Sequence, residues 1–187
     1  MSAMSTSSTP LRLTQGVFDS PLGTLLTLHD QDGVLRALDF LEFESRMHKL
    51  LDRQVRSWEI VGDKQGTPLA AELRSYFDGD MAAFDQVPVA TGGTPFQREV
   101  WAALRRIPAG RTRAYGDLAH DLQRKNGSRA VGLANGSNPI ALVVPCHRVI
   151  GADGTLTGFA GGLQRKQWLL HHEASSLGRG NLELTLN

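Results

Sequence analysis

A single cysteine stands among the 187 residues, so no internal disulfide is available. A structural zinc site, which draws several cysteines and histidines into fixed spacing, is argued against. The six histidines offer no ligand spacing either, since His171 and His172 are neighbours and on a helix point apart. Neither metal nor cofactor is expected. No apolar run approaches the roughly 18–20 residues needed to cross a bilayer, and the Ser/Thr-rich start from Met1 to Thr9 lacks a basic region followed by an apolar block. The expectation is a cytoplasmic protein with no membrane partner, a disordered tail over residues 1–12 and a C-terminal tail over 176–187. Hydrophobic content of 41% with 21% charged residues is that of an ordinary globular chain.

Charge of either sign is nearly absent in sum, at +1, but not in distribution. Residues 1–90 carry 8 Lys and Arg against 13 Asp and Glu, whereas residues 91–187 carry 12 against 6. An acidic half joined to a basic half suggests a polyanionic partner for the second half, a solvated surface being the plainer alternative.

Along the chain, the alternating stretches Gly23 to Leu28 and Val34 to Phe40 flank Asp30-Gln31-Asp32-Gly33, which reads as a hairpin. Residues 42–51 read as a helix, 57–61 as a strand and 68–77 as a second helix with Leu69, Leu73, Tyr76 and Phe77 on one face. Thr91-Gly92-Gly93 marks a linker. Thr94 then serves as N-cap, with Pro95 at the first helical position and Gln97 completing a capping box, for a helix to about residue 107. Residues 115–122 and 128–136 read as two short helices joined by a Gly-containing turn, the outline of a helix-turn-helix. The second offers small residues and an N-terminal arginine, Arg129. A last helix spans 163–174.

The chemistry concentrates at Pro145-Cys146-His147-Arg148-Val149-Ile150-Gly151. A thiol is a nucleophile only as thiolate, and neighbouring cations or an imidazole lower its pKa. His147 and Arg148 are placed to help. The preceding run, Ile140 to Val144, reads as a buried strand ended by Pro145. Most lone cysteines are packing residues; the strand, the adjacent His-Arg and the Gly-rich segment 151–162 point instead to a site.

Taken together these blocks resemble the O6-alkylguanine-DNA alkyltransferases. Pro-Cys-His-Arg-Val-Ile at 145–150 is that family's signature, joined by Pro95-Phe96-Gln97, Ile107-Pro108-Ala109-Gly110, Tyr115-Gly116-Asp117-Leu118-Ala119, Arg129-Ala130-Val131-Gly132, Asn138-Pro139, and Gly161-Gly162 through Lys166 to Glu173. The resemblance is close over 91–174 and looser over 17–90.

The resemblance implies an α/β fold: an N-terminal RNase H-like α/β domain over 13–90, then a mostly helical domain over 91–175 carrying the helix-turn-helix. It implies a monomer that binds double-stranded DNA through the minor groove and flips out a damaged guanine, mainly O6-methylguanine, with O4-methylthymine as a further candidate. The alkyl group passes irreversibly to Cys146. His147 would take the thiol proton through a water, Glu173 would orient His147, Tyr115 would serve the departing guanine, and Asn138 would tie the helix-turn-helix to the active-site loop. Arg129 would fill the gap left by the base, with Ala130 and Gly132 against the groove. Cys146, Val149 and Ala160 would read the guanine edge, with Phe159 as a wall and Lys166 and Arg148 in the DNA- and base-binding set. Two departures stand out: Phe159 where many members have Tyr, and no Pro in the turn Gln123 to Ser128. A Cys-His hydrolase and a DNA-binding regulator without chemistry are the competing readings.

Overall fold

The computed structural model describes residues 9–179 and 185–186. Four strands form the first half: β1 (Leu11–Ser20), β2 (Gly23–Asp30), β3 (Leu35–Phe40) and β4 (Trp58–Lys64), in the order β3-β2-β1-β4. β1 was not expected. Only Leu13 and Gly16 are buried along it, so its sequence lacks the alternation that marks β2 and β3. It also begins at Leu11, so two residues assigned to the tail belong to the sheet, while residues 1–8 lie outside the described chain.

The β1–β2 turn is closed by Ser20, whose hydroxyl donates to the Gly23 carbonyl at 2.6 Å. Between β2 and β3, the Asp30 carboxylate accepts the Asp32 and Val34 amides, each at 3.0 Å. Both pairs are antiparallel, as adjacent strands joined by tight turns must be. β4 is parallel to β1, which requires a crossover; a single 3-10 turn, Leu41–Phe43, and α1 (Glu44–Asp52) supply it. Met47, Leu50 and Leu51 of α1 face inward, and Met47 and Leu51 cluster with Leu13, Leu26, Leu28 and Ala37 on one sheet face.

The opposite face belongs to a larger core. α2 (Ala70–Phe77) and α3 (Pro95–Arg105) contribute Leu73, Tyr76, Val100, Trp101 and Leu104 to a cluster that runs without a break from Leu25 and Leu38 to Val149 and Leu169. The capping box of α3 is present as expected: Thr94 Oγ1 accepts the Gln97 amide at 3.2 Å, and Gln97 Oε1 accepts the Thr94 amide at 2.8 Å.

β5 (Arg113–Ala114) leads into α4 (Tyr115–Asp121), and α5 (Ser128–Gly136) follows at the bounds expected. The turn between them needs no proline. Gln123 and Asn126 each adopt φ 56°, a left-handed conformation that proline, fixed near −65°, is barred from.

Residues 140–144 are not a strand. They form buried turns, with one bridge from Ile140 to Leu38 and Leu142 at φ 64°. Ile140 through Val144 are each at most 8% exposed. The run is apolar because it is enclosed on all sides, and periodicity cannot separate that case from a central strand. β6 (Val149–Ile150) pairs with β5, β7 (Thr155–Leu156) with β8 (Thr185–Leu186), and α6 (Leu163–Ser176) closes the fold. The expected C-terminal tail thus begins inside α6 and includes a strand; residues 180–184 and 187 lie outside the described chain. Among the described residues no helix is long and apolar enough to cross a membrane.

Candidate active site

Cys146, His147 and Arg148 form one turn of 3-10 helix, all three buried. The turn is held from α5 and from the loop before it. Asn138 donates to the carbonyls of Val144 at 2.8 Å and Ile140 at 3.4 Å, and its Oδ1 accepts the Ile140 amide at 3.0 Å. Asn135, on α5 and 2% exposed, donates to the Cys146 carbonyl at 3.4 Å. The sequence reading did not single out Asn135.

α6 supplies the opposite wall. Lys166, Leu169, Leu170 and Glu173 are buried on one face, the i, i+3, i+4, i+7 stripe that normally carries only apolar residues. Glu173 collects donors from four directions: His147 Nε2 at 2.8 Å, Tyr76 Oη at 2.9 Å, the Gly110 amide at 3.0 Å, and Arg148 through Nη2 at 2.9 Å and Nε at 3.0 Å. Burial works against a charge on Glu173, but His147 and Arg148 outweigh it and hold the carboxyl well below the usual range. Burial keeps His147 neutral in turn, against the pull of Glu173. Arg148 is therefore the standing countercharge.

The tautomer follows. A carboxylate only accepts, so His147 carries its proton on Nε2 and leaves Nδ1 as an acceptor. Nδ1 is buried and has no hydrogen-bond partner among the described residues. It is a free base one residue away from the thiol.

The thiol itself is 7% exposed, and burial pushes its pKa up, with the Asn138 amide, Lys166 and Arg46 pulling the other way. This corrects the expectation that His147 and Arg148 depress it. Arg148 is turned from the sulfur, committed to Glu173 and to the Ile107 carbonyl at 2.6 Å. It is 8% exposed, so its guanidinium is spent on internal acceptors. Lys166 is fully buried as well: it donates to the Val149 and Thr157 carbonyls, both at 2.6 Å, and burial pushes its pKa down to about 8. For Lys166 the signal was in the sequence. Lys166 occupies a core position of α6, and a buried cation there must find acceptors.

Tyr115 is half-buried at the start of α4, its hydroxyl donating to the Thr157 carbonyl at 3.3 Å and close enough to Cys146 to feel its charge. Burial raises its pKa. Phe159 is half-buried with its ring edge-on to His147, centroids 6.5 Å apart. It rests against Gly161, where a Cβ would come within 2.7 Å of Phe159 and 2.8 Å of Phe40. Ala160 is exposed and Val149 buried. Arg129 and Ala130 are exposed on the outer face of α5, with Gly132 partly covered and 3.8 Å from the Tyr115 ring by its would-be Cβ. The structure thus unites Cys146, His147, Glu173, Asn138 and Tyr115 and leaves Arg129 and Ala130 on the surface beside them.

Residues 95–175 match the family model described as 6-O-methylguanine DNA methyltransferase, DNA binding domain. Over 165 residues the chain is 52% identical to a methylated-DNA–protein-cysteine methyltransferase of Shigella flexneri, covering 87% of this chain and 96% of that one. A protein of the same name from Methanosarcina acetivorans is 43% identical over 159 residues, covering 85% and 97%. Among solved structures, Mycobacterium tuberculosis OGT in complex with DNA superposes with a TM-score of 0.74 at 41% identity, covering 87% of this chain and 94% of that one. The O6-methylguanine-DNA methyltransferase of Pyrococcus kodakaraensis gives 0.65 at 27%, covering 86% and 98%.

Proposed function

The chain belongs to the methylated-DNA–protein-cysteine methyltransferases, whose activity is DNA repair by alkyl transfer to a cysteine, and from that premise we propose a single-turnover removal of the alkyl group of O6-methylguanine by Cys146. The observation that carries the assignment of roles is the buried, unpartnered Nδ1 of His147, the residue that follows Cys146 in the same turn, with Nε2 fixed on Glu173. A nucleophile, a base and a group orienting the base are the parts such chemistry requires.

His147 Nδ1 removes the thiol proton, through a water, as transfer begins. The sulfur attacks the alkyl carbon, forming S–C, while the C–O6 bond breaks and its electron pair stays on the guanine. The base leaves as ordinary guanine after gaining a proton, which the Tyr115 hydroxyl would help to supply. A pushed-up thiol suits this order of events: Cys146 stays protonated and unreactive until a base and a substrate are both in place. A thioether is not reopened by anything in the site, so one protein repairs one lesion. The alkyl carbon must come to a nearly closed sulfur, which agrees with extrusion of the base from the stack.

The α4–α5 pair is proposed as the helix-turn-helix, entering the minor groove with Ala130 and Gly132 while Arg129 occupies the vacated space. The strand order β3-β2-β1-β4, with β4 alone parallel, supports the RNase H-like reading of residues 13–90. A monomer acting in the cytoplasm, divided near residue 91, completes the proposal. Cys146→Ala tests it: the variant is expected to bind methylated duplex like the parent and to transfer nothing, and residual transfer by it would remove Cys146 from the role.

A further inference from the structure

A groove of about 700 Å3, not lined by Cys146, runs between α1 and α5. Its α5 wall includes Leu133, which is 73% exposed and shares the outer face of that helix with Arg129 and Ala130. Its other wall carries Arg46, Lys49 and Arg53. Arg46 is spent: it pairs with Asp39 and donates across the groove to the Gly136 carbonyl at 3.0 Å. The one carboxylate of the lining, Glu42, is held by Arg165 at 2.7 Å. Lys49 and Arg53 are exposed, and among the described residues neither has an ion-pair partner.

Two like charges four residues apart repel on a helix. Asp52, which ends α1, accepts the Trp58 indole N–H at 2.8 Å and, among the described residues, forms an ion pair with neither cation. An unpaired cation pair facing an exposed leucine across an open groove matches one chemistry well, a chain of anionic phosphates separated by apolar sugar faces. The groove also continues from the face of α5 that carries Arg129. We infer that the duplex engaged by α5 extends onto the first half of the chain, with Lys49 and Arg53 contacting backbone phosphates beyond the lesion and Leu133 lying against the sugar edge. The acidic half of the protein thereby takes part in DNA binding. This rests on the assignment of α5 to DNA.

The test is duplex binding measured across a series of salt concentrations. Each phosphate contact adds about 0.9 to the slope of log affinity against log salt, so Lys49→Ala/Arg53→Ala should flatten the parental slope by about 1.8. Arg56→Ala/Arg74→Ala removes the same charge elsewhere on the same half and should leave the slope as it was. Leu133→Ala should weaken binding severalfold without changing the slope. A parental slope in Lys49→Ala/Arg53→Ala, or equal flattening in the control pair, overturns the inference while leaving the alkyl-transfer site intact. A parent that binds duplex without salt dependence would overturn the DNA assignment of α5 itself.

Discussion

Tyr76→Phe removes one hydroxyl and nothing else. The Tyr76 ring lies 4.7 Å from Phe84 and is 1% exposed, so Phe keeps the packing. What is lost is the 2.9 Å hydrogen bond to Glu173, made from α2 to α6 across 97 positions of sequence. A hydrogen bond to a charged group is worth about 1.5–3 kcal/mol, and the low end applies where the acceptor keeps other donors. Glu173 Oε1 retains His147 at 2.8 Å and Arg148 at 2.9 Å. About 1.5 kcal/mol is therefore expected, which for a chain of this size lowers the melting temperature by about 3–6 °C. Thermal unfolding followed by circular dichroism measures it. The same substitution made in a Glu173→Gln background should cost less, because the hydroxyl acts through the carboxylate. An unchanged melting temperature, or an equal loss in both backgrounds, would refute the view that α2 braces Glu173.

Glu173→Gln should be the more severe change, costing about 3–5 kcal/mol, because it leaves Arg148 buried without its countercharge; chemical denaturation reads this directly. Since the folded-state pKa of Glu173 lies below its unfolded value, the parent's advantage over this variant should be full above about pH 4.5 and shrink as pH falls further. Because burial lowers the His147 pKa, transfer should stay level below about pH 6.5, the ordinary imidazole value, and fall only in more acid solution; a fall centred on 6.5 in stopped-flow transfer would contradict the buried neutral base. Asn138→Ala leaves the buried Ile140 amide without its acceptor and takes one of two donors from the Val144 carbonyl, and should cost about 1–3 kcal/mol together with most of the transfer rate. Phe159→Tyr should change the second-order transfer rate by less than about tenfold and Phe159→Ala by more; a Phe159→Ala variant that melts lower yet repairs at the parental rate would make the ring a packing element alone.

How much of this could be read beforehand depended on whether the determinant was local. The bounds of α5 and the Thr94 capping box rest on residues a few positions apart, and the chain forms them as its sequence suggests. The Pro-Cys-His-Arg run named the chemistry because its residue types are adjacent. The errors share one origin: burial, which pattern alone does not reveal. Ile140 to Val144 is apolar like a central strand but is packed as turns. Arg148 was expected to depress the thiol's pKa, yet its charge is spent inside on Glu173, as that of Lys166 is on the Val149 and Thr157 carbonyls. Tyr76 was read as a core residue and its bond to Glu173 was not, because that partner lies 97 positions away; Asn135, which holds the Cys146 carbonyl, went unread as well.

Mass spectrometry of the intact protein after incubation with duplex containing O6-methylguanine, followed by peptide mapping, tests the proposed transfer. The expected result is a gain of one methylene per molecule, located on the Cys146 peptide and unchanged by further excess of substrate. A second increment, a modified residue other than Cys146, or repaired DNA beside an unmodified protein would contradict it.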